Sequence, residues 1–185
     1  SALNSGQVAG IRAAEYIAHR YREWSIDRQR VRSSMESVAA QLTAWIRQCT
    51  QSSVPWTQER NEFQERMSRQ GAHIRSLDGI KNARDVEWRQ WERIDRDGVA
   101  ISGDREIAEA VKTRYLCFAH AMYLDAIAFA LQSGVGSRGS AVAIDKNGQS
   151  VHEKLGDEWR IVPENQSFRE KVLETFMRRG HLTQI

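Results

Sequence analysis

The run YLCFAHAMYLDAIAFAL, residues 115–131, constrains the fold more than any other stretch of the chain. Wound as a helix it is apolar on nearly all sides, so neighbouring elements must surround it. It is shorter than the ~20 residues a bilayer span needs, and it carries His120 and Asp125. It therefore reads as a buried central helix and not as a membrane span. The rest of the chain supplies helices to cover it. Only two prolines occur among 185 residues, against long runs of Ala, Arg, Glu and Gln. The expected fold is mainly α, a helical bundle with a small β-hairpin near the C-terminus.

Apolar periodicity places the elements. A first helix covers about 3–24, with Val8, Ile11, Ile17 and Tyr21 at helical spacing and a second stripe of small residues including Gly6, Ala9, Gly10 and Ala13. A second covers 28–49, with Val31, Met35, Val38, Leu42, Trp45 and Cys49 on one face. Pro55 ends that run, and a third helix starts at a Thr57 cap and extends to Gly71, with Phe63 and Met67 as its apolar pair. A fourth, capped near Asp78, reaches Asp97 with Val86, Trp88, Trp91 and Ile94 as apolar surface, and the central helix spans about 105–132. Beyond GVGSRGS the texture changes. SAVAIDKNGQSV alternates around Asn147–Gly148, which predicts a hairpin within 141–162; EWRIVPEN predicts a short extended piece, and SFREKVLETFMRR a terminal helix. The 185 residues are read as one helical domain, divided into 1–24, a bundle over 25–140, and a hairpin with terminal helix over 141–185.

Charge and cysteine content exclude several classes. The net charge of +3 comes from interleaved charges, as in EWRQWERIDRD, which are solvated helix faces and not a nucleic-acid footprint. Cys49 and Cys117 are too few for a disulfide framework, and a reducing cytoplasm is the expected location. The five histidines form no metal-binding spacing. His120 is either a chemical group or a core histidine bonded to a backbone carbonyl or to Asp125. Cys117 reads as a packed small hydrophobe. Asp125 demands an arginine or a helix N-terminus. Trp88 and Trp91 either pack in the core or stack on bases. Arg138, among small residues, is a backbone clamp or an exposed turn residue.

The opening SALNSGQVAGIRAAEYIA has free amides at a helix start followed by small side chains, a surface on which an anion or a flat ligand fits. It resembles the last FAD-contacting segment of flavoprotein subunits of the fumarate reductase/succinate dehydrogenase family, of the type G-G-S-A-L-N-x-G-Q-x-x-G-x-R-A-A. Ser1, Ala2, Leu3, Asn4, Gly6, Gln7, Gly10, Arg12, Ala13 and Ala14 fit that pattern. FQERMSRQGAHIR (Gln64, Met67, Gly71, Arg75) is similar to the family's L-Q-x-x-M-x-x-x-x-G stretch, and Ser137, Arg138 and Gly139 to its E-S-R-G sequence, with Gly136 in place of the acid.

The resemblance implies the C-terminal helical domain of an FAD-dependent oxidoreductase acting on a dicarboxylate-like substrate. Its partners would be the upstream FAD-binding and capping domains of the same polypeptide, together with an electron-transfer partner. The helix start would meet the pyrimidine edge of the flavin through the backbone N–H groups of Ser1, Ala2 and Leu3, with Asn4 and Ser5 assisting. No G-x-G-x-x-G fingerprint occurs and no catalytic residue carries over, so the isolated chain is expected to be inactive. A second reading is a self-contained helical interaction module that binds through its Arg- and Trp-rich 84–96 helix.

Overall fold

The computed structural model describes residues 2–22, 25–178 and 181–184, with backbone alone at 2–5, 177–178 and 181–184. The described chain is mainly α. Helices α1 (Ala2–Arg20), α2 (Arg28–Cys49), α3 (Trp56–Arg66), α4 (Leu77–Asp97) and α5 (Ile107–Gln132) are joined by short turns and four small strands. Two compact units divide it, residues 1–42 and 43–185.

In the first unit, α1 and the start of α2 leave their apolar stripes open. Val8, Ile11, Ile17, Val31, Met35 and Val38 are all exposed. In the second unit the same α2 stripe continues into buried Trp45 and Cys49. The Trp45 indole donates to the Ile94 carbonyl at 2.9 Å, which ties α2 to α4. Gly98 ends α4 at φ 70°, and a Cβ there would stand 2.8 Å from the Cys49 amide, so only glycine allows this approach.

The core lies between α4 and α5, which run antiparallel: Asp95 meets Arg114, Trp88 meets Asp125, and Ile80 and Ala83 pack with Leu124 and Ala128. Its α4 stripe is Ile80, Ala83, Glu87, Gln90 and Ile94, and its α5 stripe is Ala110, Thr113, Cys117, Ala121, Leu124 and Ala128. The alternating three- and four-residue spacing keeps each stripe on one face, and the alanines let the helices approach closely. The α4 stripe thus differs from the expected one. Val86, Trp88 and Trp91 flank it half-buried, with Trp88 edge-on to Trp91 and both rings within 6.0 Å of Phe118.

The central helix is not enclosed on all sides, contrary to expectation. Tyr115, Leu116 and Tyr123 are exposed on the side away from α4. By length and composition Asp104–Gln132 meets the requirement for crossing a membrane; in the structure it packs one face on α4. Boundaries shift at two further places. No side chain caps α3 at Thr57 or elsewhere, and its expected last turn, Met67–Gly71, is a π turn. The α4 cap is Ser76, which accepts from the Gly79 amide, and not Asp78.

Two C-terminal expectations are corrected. Asn147–Gly148 does not turn a hairpin: β2 (Val142–Gln149) runs through it, parallel to β1 (Ile74–Arg75), while Ile161 bridges β2 on its other side. Long-range pairing to 74–75 and 160–162 overrides the local turn signal. The expected terminal helix is absent. Gln166–Phe168 is a 3₁₀ turn, and β3 (Thr175–Arg178) pairs antiparallel with β4 (His181–Gln184). A helix this short needs an apolar face to pack, and Val172 on its expected face is 81% exposed. The antiparallel strand pair near the C-terminus is therefore β3 with β4.

Candidate functional site

Three groupings of chemistry-bearing residues arise from this fold. The first is the α1 start. The backbone of Ala2, Leu3, Asn4 and Ser5 forms its first turn; Ser1 and the side chains of all five lie outside the described residues. Downstream, a Cβ built on Gly6 or Gly10 meets nothing within 4 Å, so this part of the small-residue stripe faces open space.

The second is a charged network inside the second unit, which inspection of the sequence alone overlooks. Glu59, Glu87, Gln90 and Thr113 are all at least 98% buried. Arg66 reaches from α3 to Glu87 and donates to Gln90 Oε1 at 2.8 Å. Gln90 donates onward to Glu59 Oε2 at 2.7 Å, and Arg93 grips both Glu59 oxygens. Cys117 donates to Glu87 Oε1 at 3.4 Å. Desolvation pushes the Glu87 carboxyl up, with Arg66 opposing, and burial beside Glu87 pushes the Cys117 thiol well above its ordinary value. Such a thiol is a poor nucleophile, in keeping with the packed-hydrophobe reading. A second arginine, Arg60, joins α3 to α5 by donating to the Glu109 carboxylate and carbonyl and to Thr113. Each of these buried charges has a partner, so the network ties α3, α4 and α5 in register.

His120 borders this network. Burial holds its pKa below the ordinary value, against a raising backbone hydrogen bond with Phe63, whose ring meets it edge-on at 4.9 Å. Its Nδ1 is buried without a hydrogen-bond partner among the described residues. Asp125 is not its partner: that carboxylate accepts from the Trp88 indole and lies 3.8 Å from Arg84, meeting the demand for an arginine. Among the described residues no cluster of His, Cys, Asp or Glu has the form of a metal site.

The third grouping is the Ser137–Arg138–Gly139 turn. The Ser137 hydroxyl donates to the Val162 carbonyl at 2.6 Å and accepts from the Ala143 amide at 3.0 Å, stapling the turn to β2 and the 160–162 segment. Arg138 donates to the Phe168 and Arg169 carbonyls, at 2.8 and 3.3 Å, and so acts as a backbone clamp. Gly136 sits at φ 72°, and a Cβ there would fall 1.9 Å from the Pro163 carbonyl oxygen. No acid fits where the resembled pattern has one, because the chain crosses itself at that point.

The 84–96 face is largely satisfied within the chain. Arg84, Arg93 and Arg96 each bind carboxylates, and Trp88 and Trp91 pack with Phe118. The sequence matches no known protein family and no curated protein, and the structure matches no solved structure.

Proposed function

We propose that the chain is the C-terminal helical part of an FAD-dependent oxidoreductase of the fumarate reductase/succinate dehydrogenase type. The start of α1 would complete the flavin site. The observation that carries the reading is the conjunction at α1. Nine of the ten positions fitting the flavin-closing pattern, Ala2 to Ala14, lie in α1, which keeps Gly6 and Gly10 uncovered; the tenth, Ser1, lies outside the described residues. A helix start offers unsatisfied amides and a partial positive charge, and the bare stripe lets a planar ring approach the backbone.

FAD, when bound, supplies the redox chemistry. The contribution of this chain is positional: the amides of Ser1, Ala2 and Leu3, helped by Asn4 and Ser5, hold an electron-rich edge, and the α1 dipole favours negative charge there. The upstream FAD-binding and capping domains of the same polypeptide would cover the exposed residues Val8, Ile11 and Ile17, as well as Tyr115, Leu116 and Tyr123. Cys49 and Cys117, both free and buried, suit a reducing cytoplasm. A nucleic acid has no part in this reading.

The experiment is to read the gene upstream of Ser1 and express what it encodes. Several hundred upstream residues with a dinucleotide fingerprint, and a yellow product, are expected; a start codon immediately before Ser1 overturns the reading. In the yellow product, Gly6→Trp is expected to lower flavin occupancy about tenfold or more, since it fills the approach path. The same change is expected not to lower the thermal stability of residues 1–185 alone, because a Cβ at Gly6 meets nothing within 4 Å and a helix-interior glycine is itself unfavourable. The interaction-module reading is less favoured, because Arg84, Arg93 and Arg96 of its 84–96 face bind carboxylates within the chain.

A further inference from the structure

A cleft in the second unit, residues 43–185, has an unmatched cation. Six described arginines are half-buried, and five of them face a carboxylate: Arg60 with Glu109, Arg66 with Glu87, Arg84 with Asp85, Arg114 with Asp95 and Arg160 with Asp157. Arg75 is the sixth. Its Nε donates to the Gly71 and Ala72 carbonyls, at 3.1 and 2.6 Å, and both Nη groups are left with no partner among the described residues. Burial alone lowers its pKa, with no acid acting on it. A planar guanidinium held by Nε alone keeps its bidentate edge available, and a half-buried cation without a counter-charge is costly.

Arg75 lines a cleft of about 320 Å³ whose walls are chiefly apolar, formed by Ala126, Ile127, Ala130 and Leu131 of α5, with exposed Tyr123 and Arg138 also in the lining. Ala130, Val135, Arg138 and Leu173 also line an adjoining hollow that reaches Phe129 and Phe168. The described residues supply no carboxylate to this cleft. Gly136 is part of the lining but admits no side chain, and Arg138 is occupied by Phe168, Arg169 and Glu164. A few fixed polar groups in a mainly hydrocarbon cleft of this size are the usual make-up of a small-molecule site, and of the two arginines here only Arg75 has uncommitted Nη groups.

We propose that this cleft binds an organic carboxylate, its charged end paired with the Nη groups of Arg75 and its hydrocarbon body against Ala126, Ile127 and Leu131. A carboxylate takes both Nη donors at once, which an uncharged amide or a lone hydroxyl does not. The apolar walls favour a ring or chain over a bare inorganic anion. This site uses no residue of α1 and stands apart from the flavin reading.

The test is a titration of the 185-residue chain, followed by the arginine Nε–Hε and aromatic signals in NMR, with benzoate, benzamide and inorganic phosphate as probes. Benzoate is expected to shift Arg75 Nε–Hε and the Tyr123 ring along one saturable curve. Benzamide and phosphate should bind about tenfold or more weakly. Arg75→Met should abolish the benzoate curve while circular dichroism stays unchanged, and Arg75→Lys should retain part of it. Absence of saturation with benzoate overturns the proposal whatever the variants do. So does benzamide or phosphate binding as tightly as benzoate, or a folded Arg75→Met that binds within about twofold of the parent.

Discussion

Arg66 and Glu87 show what one residue does in this core. Glu87 is fully buried, and Arg66 is the cation that compensates it. Arg66→Met strands a carboxylate in a medium of low dielectric and is expected to cost about 3–5 kcal/mol in urea unfolding. The double variant Arg66→Met, Glu87→Met removes both charges and should recover most of that loss, a coupling the double-mutant cycle measures directly. A single variant as stable as the parent would show that the pair does not hold the core.

His120 acts with opposite sign to Glu87. Burial depresses its pKa, so the native state binds the proton less readily than the unfolded chain. Its contribution is present above the unfolded pKa of about 6.5 and is lost as pH falls through the folded value. Glu87, held above its ordinary value, contributes below the unfolded carboxyl pKa and loses that contribution as pH rises. Between about pH 7 and 5 the urea midpoint of the parent should therefore fall more steeply than that of His120→Phe. Equal slopes would remove His120 as the cause.

At the scale of elements, the C-terminal segments are held by crossings and not by local preference. Ser137, Arg138 and Gly136 each bind or abut backbone from 162–169, so the turn after α5 is built by chain that follows it by some 25 residues or more. Gly136→Ala places a methyl group against the Pro163 carbonyl at a left-handed φ and is expected to lower stability by about 2 kcal/mol or more. Gly103→Ala is the matched control: its φ of 167° is extended backbone and its Cβ meets nothing within 4 Å, so a change within about 0.5 kcal/mol is expected. Thermal melts of the two variants distinguish a crossing from an ordinary loop glycine.

The two described units differ in what covers their apolar surface. Met35 is 66% exposed and Val38 61%, whereas Trp45, farther along the same α2 stripe, is 3% exposed. Met35→Lys with Val38→Lys should leave unfolding of the 185-residue chain unchanged within about 0.5 kcal/mol, while Trp45→Ala costs about 3–5 kcal/mol. Repeated in the full gene product, the lysine pair would become destabilising if upstream domains cover this face.

The existence of α1 to α5 was legible because it depends on local periodicity, whereas the expected terminal helix did not form. The α2 bounds 28–49 and the ends of α4 and α5, at Asp97 and Gln132, follow from apolar spacing and glycine breaks. The demand of Asp125 for an arginine was equally legible, since a carboxylate in an apolar run must be neutralised. Glu59, Glu87 and Gln90 were overlooked because a charged residue at a stripe position reads as solvated until its partner arrives from another helix. The one available signal was the spacing Ile80, Ala83, Glu87, Gln90 and Ile94, which continues a single face through two polar residues.

The sequence by itself determined that the chain is mainly helical and where most of its helices lie. Those properties reside in neighbouring residues and in side-chain spacing along one helix. Only the tertiary structure decided which half of the α2 stripe is covered, that Asn147–Gly148 lies within β2, that β3 pairs with β4, and that Arg75 alone among the half-buried arginines described lacks a carboxylate. Burial, strand pairing and charge compensation depend on residues far apart in the chain, and their positions exist only once the helices have packed.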